Sequence, residues 1–184
     1  MRVICISGKA QHGKDSAANC LKRSLENDGY KVLIAHYGDL VKYFCHTFFG
    51  WDGNKDEVGR TILQQVGTNT VRAKQPNYWV DFLKSVLTLF PDEWDYVLIP
   101  DCRFPNEVEA MRELFHTKLI RVIRPNFESP LNPEQQAHPS ETAMDDYPAD
   151  FYINNIGTLS DLQKMTAGLV FEMNGVHQYS FDEL

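Results

Sequence analysis

The chain lacks most features that would take it out of the ordinary globular class. No stretch approaches the roughly 20 consecutive apolar residues that a membrane-spanning helix needs. The first apolar run, Val3-Ile4-Cys5-Ile6, is also too short for a secretion signal, so the expected compartment is the cytoplasm. Positive charge is not in excess. With 18 Lys and Arg against 25 Asp and Glu the formal charge is −7, the wrong sign for a chain whose main partner is a nucleic-acid polymer. Cys5, Cys20, Cys45 and Cys102 have no C-x-x-C spacing, which argues against a zinc site and a redox pair. There are no repeats and no low-complexity tracts. What remains, 184 residues with 43% hydrophobic and 23% charged, reads as a single domain over 1–184, long enough to bury a real core.

What is present begins directly after the first apolar run. Gly8-Lys9-Ala10-Gln11-His12-Gly13-Lys14-Asp15-Ser16 has the form G-x-x-x-x-G-K, and Ala17, Ala18, Leu21 and Leu25 follow at helical spacing. A strand, a glycine-rich turn and a helix in that order aim backbone N–H groups and a helix N-terminus at a polyphosphate. Gly8 and Gly13 let the main chain approach phosphate oxygens, and Lys14 puts a point charge on them. Ala10 and His12 contribute through the loop backbone. The usual pattern has Ser or Thr after the lysine, where its hydroxyl holds Mg²⁺. Here Asp15 takes that place and Ser16 follows, so both are candidate metal ligands. The motif therefore implies ATP and Mg²⁺.

Strand and helix patterns alternate along the rest. Lys31–Tyr37 reads as a second strand, 39–49 as a helix, 56–72 as one amphipathic helix, and 77–90 as another ended by Pro91. Asp95–Ile99 and Lys118–Ile123 read as strands flanking a helix over 106–115. Phe151–Asn154 is a last strand and 159–172 a last helix. This alternation predicts an α/β P-loop fold with a parallel sheet of about five strands and helices on both faces. The segment 124–149 contains five of the nine prolines and reads as a long loop or lid. Ligands bind at the carboxyl ends of such strands, so Gly8, Asp39, Asp101 and Arg124, each just past a strand, are expected to cluster.

Several side chains near those ends carry candidate chemistry. Asp101 after Tyr96–Pro100 stands where P-loop enzymes keep a second acidic metal anchor, or else it is a turn-capping aspartate. Arg103 would offer a bidentate fork to a phosphate. On the 56–72 helix Arg60, Gln64, Thr68 and Arg72 form a polar stripe. Arg60 and Arg72 lie twelve residues apart, about 18 Å of helix axis, and cannot grip one phosphate together. Arg72, close to Trp79, is the better substrate contact. Arg124 opens the long loop and could close on a transferring phosphoryl group. His138 and Glu141 in the same loop suit base or ribose recognition, or plain loop architecture. A phosphate acceptor already carries an oxyanion near neutral pH, since its second pKa is about 6. A hydroxyl acceptor needs a general base, for which Asp39 is the candidate.

Four segments give the chain a family likeness. They are the "GKD" loop at 13–15, Leu63-Gln64-Gln65-Val66-Gly67-Thr68 running on to Arg72, Pro76 and Trp79, the stretch Asp101-Cys102-Arg103-Phe104-Pro105-Asn106-Glu107, and His138-Pro139-Ser140-Glu141. In this order they resemble the deoxynucleoside monophosphate kinases of tailed bacteriophages, a nucleoside monophosphate kinase-like branch of the P-loop proteins. The resemblance implies transfer of the ATP γ-phosphoryl group to a deoxynucleoside monophosphate, in the host cytoplasm if the chain is phage-encoded. It also implies that Lys14 is the phosphate lysine, Arg72 and Arg103 are acceptor-phosphate or lid-side contacts, and Asp101 is the metal-side acid. The region 39–90 would then bind the acceptor. Phosphomevalonate kinases of the animal type resemble the chain in the loop and the D-x-R segment, and aromatic stacking by Tyr43, Tyr78, Trp79 or Phe82 would distinguish a nucleobase acceptor. A non-catalytic nucleotide-binding module is the third reading. Whether the chain acts alone or as a homodimer is open at this level.

Overall fold

A computed structural model of the chain describes residues 1–173. Five strands, β1 (Arg2–Ser7), β2 (Val32–Ile34), β3 (Tyr96–Ile99), β4 (His116–Ile123) and β5 (Phe151–Asn154), form one sheet in the order β2-β3-β1-β4-β5. Every pairing in it is parallel. Alternate side chains of a strand leave on opposite faces, and the central strands are buried on both. Ile4 and Ile6 join Leu98, Ile120 and Val122 in a core closed by α1 (Lys14–Asn27) and α8 (Leu159–Met173). Val3 and Cys5 join Val97, Ile99 and Leu119 on the other face, under α4 (Tyr78–Leu89) and α5 (Pro105–Arg112). The expected parallel sheet with helices on both faces is what forms.

A smaller cluster, Cys45, Trp51 and Val66, sits among α2 (Gly38–Phe49), α3 (Glu57–Gln64) and the segment after α3. This helical arm departs from the sequence reading. The pattern over 56–72 predicts one α-helix, but it is α-helical only to Gln64 and π-helical from Gln65 to Arg72. Tertiary contacts hold the wide turn. The Trp79 indole Nε1 donates to the Gly67 carbonyl at 2.9 Å, and Val66 is buried against Cys45 and Trp51. π-helical turns are rare and occur often at functional sites.

Further boundaries differ: α5 ends at Arg112 where the pattern runs to 115, and β4 begins at His116, ahead of Lys118. The second strand is shorter than 31–37, because β2 pairs only with β3 and the ladder leads no further than Ala35, whose N–H donates to Leu98 O. Beyond it, the N–H groups of Tyr37 and Gly38 go to the Asp101 carboxylate at 3.0 and 2.8 Å. The proline-rich 124–149 segment also holds two short helices, α6 (Pro133–Ala137) and α7 (Pro139–Thr142). Each has proline in its first turn and a side-chain acceptor before it. Asn132 accepts from Gln135 N and His138 from Ser140 N. Prolines that look like breakers in the sequence act here as helix starters.

Trp79→Phe removes the donor to Gly67 O from a side chain only 2% exposed. The expected cost is about 1–3 kcal/mol, from the lost bond and an unpaired buried carbonyl, read as a lower midpoint in urea unfolding.

Candidate functional site

The carboxyl ends of β1 and β3 open on a cavity of about 650 Å³, within the range of small-molecule sites. One wall is the loop between β1 and α1. Gly8 has φ +148° and a Cβ there would lie 2.4 Å from Val122 O; at Gly13, with φ +95°, a Cβ would lie 2.5 Å from the Asn155 amide nitrogen. Neither position accepts a side chain. Gln11 holds the left-handed conformation at φ 58°, a strained state typical of ligand-binding turns. The first-turn N–H groups of α1 have no intrahelical partner, so loop and helix end together form a concave set of donors.

Lys14 is buried, and its Nζ donates to Gly8 O at 2.8 Å and Lys9 O at 2.9 Å. Burial, reinforced by the Arg103 guanidinium, pushes its pKa down to about 8. Asp15 lines the cavity and Ser16 does not. Asp15 Oδ1 lies 3.3 Å from His36 Nε2, and Asp39 Oδ2 lies 3.4 Å from Nδ1 of the same ring. The hydrogen bond to Asp15 raises the His36 pKa, and the same bond lowers that of Asp15. His36 was not singled out from the sequence, although it stands at the end of a strand reading. Asp39 itself is exposed, pairs with Lys42 at 2.7 Å, and is not on the cavity wall.

Asp101 reaches the cavity but uses both oxygens to cap α2 through the N–H groups of Tyr37 and Gly38. Each carboxylate oxygen keeps a second acceptor position. Arg103 also reaches the cavity, with its guanidinium on the Glu141 carboxylate and on Ser140 O at 3.0 Å. Glu141 accepts from Ala10 N at 2.8 Å on its other oxygen, so one carboxylate spans phosphate loop and arginine. Lys9 adds a tie to Asp145 at 2.5 Å. Together these contacts fasten α7 over the loop.

From the helical arm, Arg60, Gln64, Thr68 and Arg72 all line this one cavity. Arg60 is therefore not a purely solvent-facing residue; its Nε donates to Lys55 O at 3.0 Å. The Arg72 guanidinium lies over the Phe104 ring at 4.0 Å and bonds Glu107 at 2.5 Å, with longer contacts to Pro76 O and Asn106. Glu107 belongs to the D-x-R-F-P-N-E stretch but was not assigned a role from the sequence. Its signal was there, as a Glu two residues past a proline that starts a helix.

The remaining candidates lie elsewhere. Trp79 forms part of the cavity wall but is buried and committed to Gly67 O. Tyr43, Tyr78 and Phe82 are on the surface and do not line the cavity. His12 faces a smaller cavity behind the loop, where its Nδ1 accepts from Arg124 N at 3.2 Å and burial lowers its pKa. Arg124 is exposed, stacked on Phe127 at 4.4 Å, and lines neither cavity. His138 bonds Ser140 Oγ at 2.9 Å, and its buried Nε2 has no partner among the described residues. Among those residues, no three His, Cys, Asp or Glu side chains gather as a metal cluster, and no helix is long and apolar enough to cross a membrane.

Comparison with known proteins adds to this geometry. Residues 51–166 match a family model described as deoxynucleotide monophosphate kinase, a stretch that holds α3, the π-helical segment, Asp101–Glu107 and His138–Glu141 and begins after the phosphate loop and α2. The deoxynucleotide monophosphate kinase of Enterobacteria phage T4 is 31% identical over 105 residues, 56% of this chain and 41% of that protein. Less than half of that relative is thus matched. The APS kinase CysC of Mycobacterium tuberculosis, solved with AMPPNP and APS, superposes with a TM-score of 0.54 at 14% identity, over 92% of this chain and 96% of that one. Shikimate kinase from Aquifex aeolicus gives 0.51 at 13%, over 94% and 97%. These two share the α/β P-loop fold.

The depressed Lys14 pKa carries a pH signature. A buried cation whose folded pKa lies below its unfolded value makes the unfolded chain bind more protons between the two, so stability rises with pH there. Compared with Lys14→Met, the nucleotide-free protein is expected to gain stability from about pH 8 up to the ordinary lysine pKa of 10.5. Paired thermal melts across pH 7–10 measure the difference.

Proposed function

Because the chain belongs to the deoxynucleotide monophosphate kinase family, we propose that it transfers the γ-phosphoryl group of ATP to a deoxynucleoside monophosphate, giving the diphosphate. One observation carries this reading. A single cavity is lined by the phosphate-loop lysine and by two arginines, Arg72 and Arg103, that come from separate elements. Such a site can hold two phosphates close together and neutralise both.

The residues present fit a nucleoside triphosphate and Mg²⁺. The loop offers converging N–H donors around Gln11 and Gly13, and Lys14 already seeks oxygen acceptors, the Gly8 and Lys9 carbonyls. Asp15 and Asp101 supply the hard oxygen donors such a cation prefers, and Asp15 rather than Ser16 is the residue on the wall. When bound, MgATP supplies the transferable phosphoryl group and the metal's charge. Lys14 then exchanges the loop carbonyls for phosphate oxygens. Arg72 and Arg103 orient the acceptor phosphate, whose oxyanion needs no general base. The surface position of Asp39, paired with Lys42, agrees with a reaction that uses none.

Gln64 and Thr68, which line the cavity, carry the polar groups that would select the base. Glu141 would tune Arg103 rather than meet the acceptor itself, while His138 would hold α7 in place. Trp79 would support the arm rather than stack on a base. Arg124 would join the reaction only through movement of the 124–149 segment.

An ADP-release assay across dAMP, dCMP, dGMP, dTMP, modified deoxynucleotides and phosphomevalonate tests the reading. At least one deoxynucleotide is expected to turn over. Lys14→Ala should lower kcat at least about a hundredfold, the scale for losing one preorganised charge at a transferring group. Arg72→Ala should raise the KM of the acceptor. Turnover of phosphomevalonate alone would move the assignment to that acceptor, and turnover of no monophosphate would leave a binding module.

A further inference from the structure

Glu107 is 2% exposed, yet it carries a carboxylate with three donors on it. Its Oε2 accepts from the backbone N–H groups of Arg103 and Phe104 at 2.6 and 3.0 Å, and its Oε1 accepts from Arg72 at 2.5 Å. The first two bonds belong to the start of α5, where Glu107 is the third residue and Phe104 the cap. A glutamine at that position reaches back to the cap N–H as well as a glutamate does. Helix capping therefore does not explain the charge. Burying an ionised group is costly unless a partner compensates it, and among the described residues the charged side chain that pairs with it is Arg72.

The geometry on the Arg72 side is equally specific. The guanidinium is fixed by Glu107 at its edge, by the Phe104 ring at 4.0 Å on its face, and by Pro76 O and Asn106 Oδ1 at 3.3 and 3.4 Å. Of its five N–H donors three are used in these contacts, and the residue still lines the cavity. An arginine at the end of a π-helical segment would otherwise sample many rotamers, at a cost in entropy when a phosphate binds. The same carboxylate holds the backbone of Arg103, a second arginine on the cavity wall, through its N–H.

We propose that Glu107 is the positioning residue of the acceptor-phosphate site, one buried carboxylate that fixes the Arg72 guanidinium and the Arg103 backbone in register with each other. The proposal rests on the reading above, in which Arg72 and Arg103 meet the acceptor. Glu107 lines the same cavity, but both of its oxygens are taken by Arg72, Arg103 N–H and Phe104 N–H, so it acts through the pair of cations and not on the substrate itself.

Glu107→Gln separates the two roles, because the amide oxygen retains the cap while the amide N–H₂ faces Arg72 donor to donor. In the full chain, with the best deoxynucleotide, this variant is expected to raise the acceptor KM at least tenfold and leave the KM for ATP within twofold. Glu107→Asp, which keeps the charge on a shorter arm, should recover part of the loss and serves if the glutamine variant does not fold. In an Arg72→Ala background Glu107→Gln should change the acceptor KM less than twofold. An unchanged acceptor KM, or an equal rise in both KM values, overturns the proposal. If the wild type turns over no monophosphate, the kinase reading fails by itself and inorganic phosphate becomes the probe. The Arg72 Nε–H signal in ¹⁵N NMR should then shift on phosphate addition in the wild type and not in Glu107→Gln, whereas equal responses, or none in the wild type, reject the role.

Discussion

Two buried carboxylates hold the cationic side of the cavity in place. Glu107 anchors Arg72, and Glu141 anchors Arg103 while accepting from the phosphate loop at Ala10. Without them the arginines would be free to move away from a wall where Lys14 already feels the repulsion of Arg103. Carboxylates of this kind do not make the fold more stable than apolar residues would; paired buried charges roughly break even. What they supply is position. A site meant for phosphates must concentrate positive charge before the phosphates arrive, and each guanidinium needs a counter-ion that leaves some of its donors free.

The sheet decides which parts can meet. In the order β2-β3-β1-β4-β5 the strand carrying the phosphate loop lies between β3, which leads to Asp101, and β4, which leads into the 124–149 segment. Parallel strands put all three ends on one side. The loop, the D-x-R stretch and α7 are thereby neighbours although the first two are far apart in the chain, Gly13 and Asp101 marking their near ends. Asp101 ties the same end to α2 by capping it, and so fixes the helical arm against the sheet.

Much of this was legible in the chain because its signals are local. The strand–loop–helix around Gly8–Lys14 needs only a short apolar run, two glycines and a helical repeat, and the sheet follows from the alternation of apolar runs with helical patterns. Other features were not legible, each for a physical reason. The π-helical turn at Gln65–Arg72 is held by Trp79 and by burial of Val66, contacts that no helical period reveals. His36 acquires its character from Asp15, twenty-one residues away. Arg124 and Asp39 follow strand ends as expected, yet one stacks on Phe127 and the other pairs with Lys42. Position after a strand sets where a backbone is and not where a long side chain points.

By itself, then, the sequence determined the class of fold, the phosphate loop and the set of polar residues available to a site. These depend on backbone periodicity, on glycine's conformational freedom and on charge type, all encoded within a few neighbouring residues. Only the tertiary structure decided which of those residues work together. It turned Asp101 into a cap, made Trp79 a strut, brought Arg60, Gln64, Thr68 and Arg72 onto one wall, and gave Glu107 and Glu141 their partners. The reason is that an ion pair or a hydrogen bond is set by distance in space, and distances between residues far apart in the chain exist only once the sheet has closed.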